Sequence, residues 1–133
     1  MADLKEIGVI PYMKKNNSLR FVIVTTRGSS DRWIFPKGQP EDDKPDIDVA
    51  GNEAFEEAGV IGRVKGKPIK ITVKKNGNRI SYKFYPFKVS RICRKWPERK
   101  QRRRSFVKGP KALKKIKNKP YEEVLKSFIS SFS

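Results

Sequence analysis

Eight carboxylates crowd into one stretch of this chain, Gly38 to Val60, GQPEDDKPDIDVAGNEAFEEAGV: Glu41, Asp42, Asp43, Asp46, Asp48, Glu53, Glu56 and Glu57. The whole chain holds fourteen acids against thirty-two Lys and Arg. Surface solubility does not call for so uneven a distribution. Clustered carboxylates bind hard cations, and a basic surround favours a phosphate-rich ligand.

The local pattern predicts how those acids are held. Pro45-Asp46 reads as a helix start with Asp46 as N-cap. Gly59 reads as the residue after the last turn, with Val60 as the apolar partner that often follows. Between them Ile47, Ala50, Ala54 and Ala58 recur at three- and four-residue spacing, which predicts a narrow buried stripe. Glu53, Glu56 and Glu57 lie within one turn of each other and should project from one side, well away from that stripe. Three such glutamates alone would also fit a solvated acidic face.

The spacing of the full stretch decides between the two. Gly38, Glu53, Glu56-Glu57 and Gly59-Val60 resemble the box of the Nudix superfamily. That box runs Gly, five residues, Glu, seven residues, Arg-Glu, an apolar residue, any residue, Glu-Glu, any residue, Gly, an apolar residue. Two positions depart: Lys44 stands where the family has Glu, and Asn52 where it has Arg. The resemblance implies a loop-helix-loop that binds a divalent metal, magnesium by expectation with manganese as a substitute. It implies hydrolysis of a diphosphate linked to another moiety. The metal neutralises phosphate oxygens and orients water, and a carboxylate takes the proton. By resemblance Glu53 and Glu57 are the primary ligands, Glu56 is the base or a further ligand, and a main-chain carbonyl at Lys37 or Gly38 completes the shell. The family's arginine holds the glutamates by ion pairing. Asn52 carries no charge, so Lys44 is the expected catalytic substitute, supplying that charge from the loop.

The fold class expected from the resemblance is α/β: an α/β/α sandwich with a mixed sheet. Residues 1–133 should form a single domain with the box at 38–60. The net charge is +18. Cys93 is the only cysteine and there is no histidine, so an internal disulfide and a zinc site of His or clustered Cys are both excluded. No apolar run reaches membrane length, and the expected location is the cytoplasm, as monomer or homodimer.

Along the chain, Leu4–Met13 predicts a strand, with Pro11 marking an edge or a bulge. Lys14–Asn17 reads as a hairpin turn, Leu19–Thr26 as a central strand and Arg32–Phe35 as a short one. Trp33-Ile34-Phe35-Pro36-Lys37-Gly38 ahead of the box resembles the branch that hydrolyses diphosphoinositol polyphosphates and diadenosine polyphosphates. Val60–Lys74 reads as one strand, Asn76-Gly77 as a two-residue turn and Arg79–Ile92 as the return strand, with Pro86 at a bulge or unpaired position. Residues 91–120 carry fourteen Lys or Arg and one acid, Glu98. There the run Trp96-Pro97-Glu98 and the triplet Arg102-Arg103-Arg104 again resemble that branch, in which an arginine of the triplet reaches substrate. Alternation puts Arg102 and Arg104 on one face of a strand, with Arg103 opposite. Lys119-Pro120 has a counterpart in the branch whose lysine contacts phosphate. A helix over Pro110–Ile116 and an amphipathic one over Tyr121–Phe132 complete the order.

The function expected is a metal-dependent pyrophosphohydrolase for a highly charged substrate. A dinucleoside polyphosphate or a diphosphoinositol polyphosphate would suit. Arg27, Lys37, Arg79, Arg102, Arg104 and Lys119 are the candidate cations for its phosphates. One alternative is a nucleoside triphosphate pyrophosphatase, for which no base-pocket motif is visible. The other is a catalytically weakened member that binds RNA non-specifically through residues 91–120.

Overall fold

A computed structural model describes residues 3–117 and 119–132. In chain order the elements are β1 (Asp3–Lys15), β2 (Ser18–Thr25), β3 (Trp33–Ile34), β4 (Lys37–Gly38), α1 (Asp46–Ala58), β5 (Val60–Val64), β6 (Ile69–Lys75), β7 (Asn78–Ile92), β8 (Arg104–Lys108), α2 (Gly109–Lys115) and α3 (Lys119–Ser131). All the strands join one mixed sheet. β1 and β2 form a hairpin closed by Asn16 and Asn17, both at positive φ, as a tight two-residue turn requires. Asn76-Gly77 does the same between β6 and β7.

β1 runs parallel to β7 along ten residue pairs from Asp3↔Arg79 to Tyr12↔Lys88. The outer edge of β7 takes β6 along its first half and β5 along its second. The single strand expected over Val60–Lys74 is therefore two strands. Gly66 at φ 88° breaks it, and Pro68 has no N–H to offer a ladder. On the outer edge of β7 Pro86 falls between the end of β6 pairing at Phe84 and the start of β5 pairing at Phe87, while on the inner edge it stays in register with Ile10 of β1. Pro11, by contrast, is neither at an edge nor in a bulge. It is buried in a central strand, at a point where one side of β1 has no ladder.

That gap is the feature that positions the site. On the side away from β7, β1 pairs with β4 at Ile7 and Gly8, then with β2 only from Tyr12 onward. β2 likewise pairs with β1 as far as Phe21 and with β3 at Val24 and Thr25. β1 and β2 thus splay into a fork, and Trp33–Gly38 fills it. Val9 N–H donates to Pro36 O across the fork at 3.0 Å. Pro11, two residues on, faces the same side and leaves no donor stranded there.

The helices take opposite faces. Lys83 of β7 reaches Asp46 at the start of α1, with Nζ 3.1 Å from Oδ2. Its neighbours in alternation, Tyr82 and Phe84, meet Tyr121 of α3 across the other face. The three-layer arrangement expected from the sequence is the observed one. The α3 side is an aromatic core: Phe128 lies 5.0 Å from the Tyr12 ring and 5.8 Å from Phe21, and Phe35 lies 6.5 Å from Tyr121. Val124, Leu125 and Phe128 are buried as the amphipathic pattern predicts. Phe128→Ala removes the ring that ties α3 to both strands of the first hairpin. It should cost about 3–5 kcal/mol, read as a lowered urea midpoint with an unchanged slope; a loss under about 1 kcal/mol would contradict this packing.

Candidate active site

α1 starts one residue differently from expectation. Pro45 occupies the N-cap position with φ −60° and ψ 149°, and no side chain caps the helix. Asp46 is the first helical residue and its carboxylate pairs with Lys83. Ile47 is 51% exposed and leaves the stripe. Val49, Ala50, Ala54 and Ala58 form it, and Glu57 joins them at 5% exposure. The three glutamates therefore do not share a solvated side. Glu56 is exposed, Glu53 is half-buried and Glu57 is inside, because the line through 50, 54, 57 and 58 is the one that faces the sheet.

The C-terminus of α1 is finished by the basic segment. Gly59 takes the left-handed conformation at φ 66°. Trp96 Nε1 donates to Glu57 O at 3.1 Å. Arg104 Nη1 donates to Ala58 O at 3.0 Å and to Cys93 O at 2.8 Å, its guanidinium centred 3.9 Å from the Trp96 ring. These donors satisfy carbonyls that a helix end leaves open. Arg104 is thereby corrected from a phosphate contact to a helix clamp.

Glu57 reaches the fork. Its Oε1 accepts from the Lys37 main-chain N–H at 3.2 Å, and its Oε2 lies 3.7 Å from Arg102 Nη2. Glu57 also shares a hydrogen bond with Glu53. Burial first, and that shared bond second, push the Glu57 carboxyl up to about 8 against the Arg102 charge. Burial raises Glu53 as well. Gly38 lies so close to Glu53 that any Cβ there would overlap its carboxylate. Glu98 approaches from the loop before β8, its N–H donating to Glu56 O at 3.1 Å. Its carboxylate accepts from Arg102 Nε at 2.7 Å and pairs with Arg27 at 3.2 Å. Burial opposes its charge, but Arg102 and Arg27 together hold it below the usual carboxylate range.

These residues fit a divalent cation in part. The Glu53 and Glu57 carboxyls lie within reach of each other, and the Gly38 main chain abuts Glu53. Among the described residues no three Asp, Glu or Cys side chains already converge as a cage. When bound there, a divalent ion would polarise phosphate oxygens as a Lewis acid.

Beside the glutamates a cleft of about 370 Å³ opens on the α3 face, lined among others by Glu6, Arg27, Arg32, Lys37, Lys75, Tyr82, Arg102 and Tyr121. Lys37 links the two parts: its N–H holds Glu57 and its Nζ meets Glu6 at 3.1 Å. Of the expected cations, Arg27, Lys37 and Arg102 line this cleft. Arg79 is exposed and faces the other way, because Ile80 and Tyr82 take the cleft side of β7. The Lys119 side chain lies outside the described residues. Arg103 lies opposite Arg102, donating to Ser30 O. Lys44 pairs with Glu41 at 3.8 Å in its own loop. The cation beside Glu57 is Arg102, so Lys44 is corrected as the stand-in for the missing box arginine. Sequence reasoning missed Arg32, Lys75 and Glu98; only Glu98, the lone acid of a basic run, carried a signal.

No family model matches the chain. The relatives to which it is similar include Nudix hydrolase 12, mitochondrial, of Arabidopsis thaliana (32% identical over 123 residues) and Nudix hydrolase 18, mitochondrial, of the same plant (31% over 114). The matches cover 85% and 80% of this chain, which spans 60% and 65% of the two relatives' lengths. Among solved structures, a C. elegans Ap4A hydrolase superposes with a TM-score of 0.77 at 16% identity over 98% of each chain. The NUDIX domain of Shewanella oneidensis NrtR, solved with ADP ribose, gives 0.81 at 10% identity over 100% of this chain and 90% of that one. The structural likenesses define a Nudix fold. With the box glutamates at its fork and the plant relatives, the chain belongs to the Nudix hydrolase superfamily.

The protonated pair makes the metal-free protein sensitive to pH. Folded Glu57 keeps its proton to about 8, whereas an unfolded glutamate releases it near 4.5. The folded state thus holds the extra proton, and its stabilising contribution is complete below pH 4.5 and lost as pH rises through 8. Chelator-treated protein should show urea midpoints that fall between pH 5 and 8, and Glu57→Gln should flatten that slope. An unchanged slope in Glu57→Gln would contradict the assignment.

Proposed function

We propose that this chain is a metal-dependent pyrophosphohydrolase of highly charged diphosphate compounds. The observation that carries the reading is a buried Glu53–Glu57 pair joined, through the Lys37 N–H and the Arg102 guanidinium, to a cleft walled by Arg27, Arg32, Lys37, Lys75 and Arg102. Glu53, Glu57 and the Gly38 main chain are the groups to hold magnesium, with manganese as a substitute. Glu56, one turn from Glu53 and exposed to solvent, takes the proton of the attacking water. Lys37 and Arg102 draw the phosphate oxygens toward the glutamates, and Arg102 also positions Glu57.

Diphosphoinositol polyphosphates and dinucleoside polyphosphates are the substrate classes that the charge supports. Tyr82 and Tyr121 are only 8% and 2% exposed, which offers no open ring face on which a nucleobase would stack. A dinucleoside polyphosphate would therefore be held through its phosphate chain, and a nucleoside triphosphate, with fewer phosphates and read by its base, is the weaker fit.

The test is turnover of a panel of diphosphoinositol polyphosphate, diadenosine polyphosphates and nucleoside triphosphates with magnesium. Turnover of the first two groups is expected, with loss of roughly 10²–10⁴-fold in Glu56→Gln. No turnover of any compound, or turnover untouched by Glu56→Gln, would reject the reading. In the same assay Arg102→Gln should lower kcat/KM by roughly 10- to 100-fold, whereas Lys44→Gln should stay within about threefold. The reverse ranking would restore the loop lysine as the positioning charge.

A further inference from the structure

A second cleft, of about 480 Å³, adjoins the first. It is lined by Asp31, Arg32, Trp33, Lys75, Lys115 and Lys117. Arg32 and Lys75 belong to both walls, so the two clefts form one groove. It runs from Lys37 and Arg102, the neighbours of Glu57, to Lys115 and Lys117 at the C-terminal end of α2.

The cations of this groove divide by partner. Next to the glutamates each one is already matched: Lys37 to Glu6, Arg27 to Glu98, Arg102 to Glu98 and Glu57. In the outer cleft none of Arg32, Lys75, Lys115 and Lys117 meets a carboxylate within salt-bridge distance among the described residues. Asp31 is the one acid of the lining, and its Oδ1 accepts the Ser29 hydroxyl at 3.3 Å. Four like charges around one cavity repel each other and raise the local potential, and a multivalent anion relieves both.

The floor of the cleft narrows the choice of anion. Trp33 is 7% exposed, with Lys115 Nζ 4.7 Å and the Arg103 guanidinium 5.8 Å from its ring centroid. Its indole supports the lysine and leaves no face for a base. A bounded pocket of this size, without exposed rings, suits compact phosphate groups better than a nucleic-acid strand, which needs a track with stacking platforms. Lysine ammoniums donate to phosphate oxygens in many directions, and the Arg32 fork adds a bidentate donor.

We infer that the outer cleft is a second anion subsite, holding phosphates remote from the bond that is cut, for a phosphate-dense ligand that spans both clefts. This rests on the hydrolytic reading of the inner cleft. A phosphorylated polyol ring and a linear polyphosphate chain present the same chemistry, and the two probes below separate them.

The experiment uses the full chain carrying Glu56→Gln. Inositol hexakisphosphate and inorganic tripolyphosphate are titrated separately by calorimetry, with and without the added pair Lys115→Gln/Lys117→Gln. At least one anion should bind and raise the melting temperature. The double substitution should weaken it roughly 10- to 100-fold, and Lys115→Arg/Lys117→Arg should restore binding, which a merely structural loss would not permit. The anion that suffers the larger loss identifies the source. Equal affinity in parent and double variant overturns the subsite, as does tighter binding of a short single-stranded RNA than of either anion. In the active chain, the same pair should lower the ratio of kcat/KM for diphosphoinositol polyphosphate to that for ADP-ribose. If no compound is hydrolysed but lysine-dependent binding persists, the hydrolytic reading fails and the subsite stands. If hydrolysis proceeds and the lysines are indifferent, the subsite alone fails.

Discussion

The structure turns on one buried carboxyl group. Glu57 is placed by the helix where an apolar side chain would ordinarily pack, and burial of a lone carboxylate is expensive. Three neighbours make it tolerable: the Lys37 N–H, the Arg102 guanidinium and the carboxyl of Glu53. Each neighbour is itself fixed by a different part of the chain. Lys37 is locked into the fork by pairing with Gly8. Arg102 is held by Glu98 and by Thr25 O at 3.0 Å. Glu53 is pressed against Gly38. The loop, the helix and the basic segment are thus bound to one another through this one group.

The basic segment accordingly divides its charges. Arg104 closes the helix end and Arg102 faces the glutamates, one residue apart across the bend into β8. Arg103 between them turns outward. Arg91, Arg94, Lys95, Arg99 and Lys100 remain exposed and add to the positive field over the molecule rather than to its packing. The exposed charges and the matched pairs thus serve different ends: the first set the potential over the surface, and the second fix the side chains around Glu57.

Much of this was legible in the chain. The long strands, both tight turns, helix α1 and the buried face of α3 follow from alternation, turn chemistry at Asn16-Asn17 and Asn76-Gly77, and helical spacing. The failures share a cause. The spacing puts Ile47 in the buried stripe and Glu57 away from it, because periodicity gives the line of a stripe but not the angle at which the helix meets its sheet. Pro11 was read as an edge marker because the fork that accommodates it depends on a segment farther along the chain. Lys44 was chosen to replace the arginine absent at Asn52 because it was near in sequence, whereas the compensating charge comes from Arg102, which only folding brings there. Arg32 and Lys75 look like any surface cation until two clefts are seen to meet on them.

The central claim is that Glu53 and Glu57, at this fork, hold a divalent cation. Titration with manganese, followed by the electron paramagnetic resonance of the free ion, tests it without reference to any substrate. One saturable site is expected in the parent chain. It should be lost in Glu53→Gln and in Glu57→Gln, and kept in a chain with Asp42→Asn and Asp43→Asn. Binding that survives both glutamate substitutions, or that disappears with the loop aspartates instead, would contradict the account.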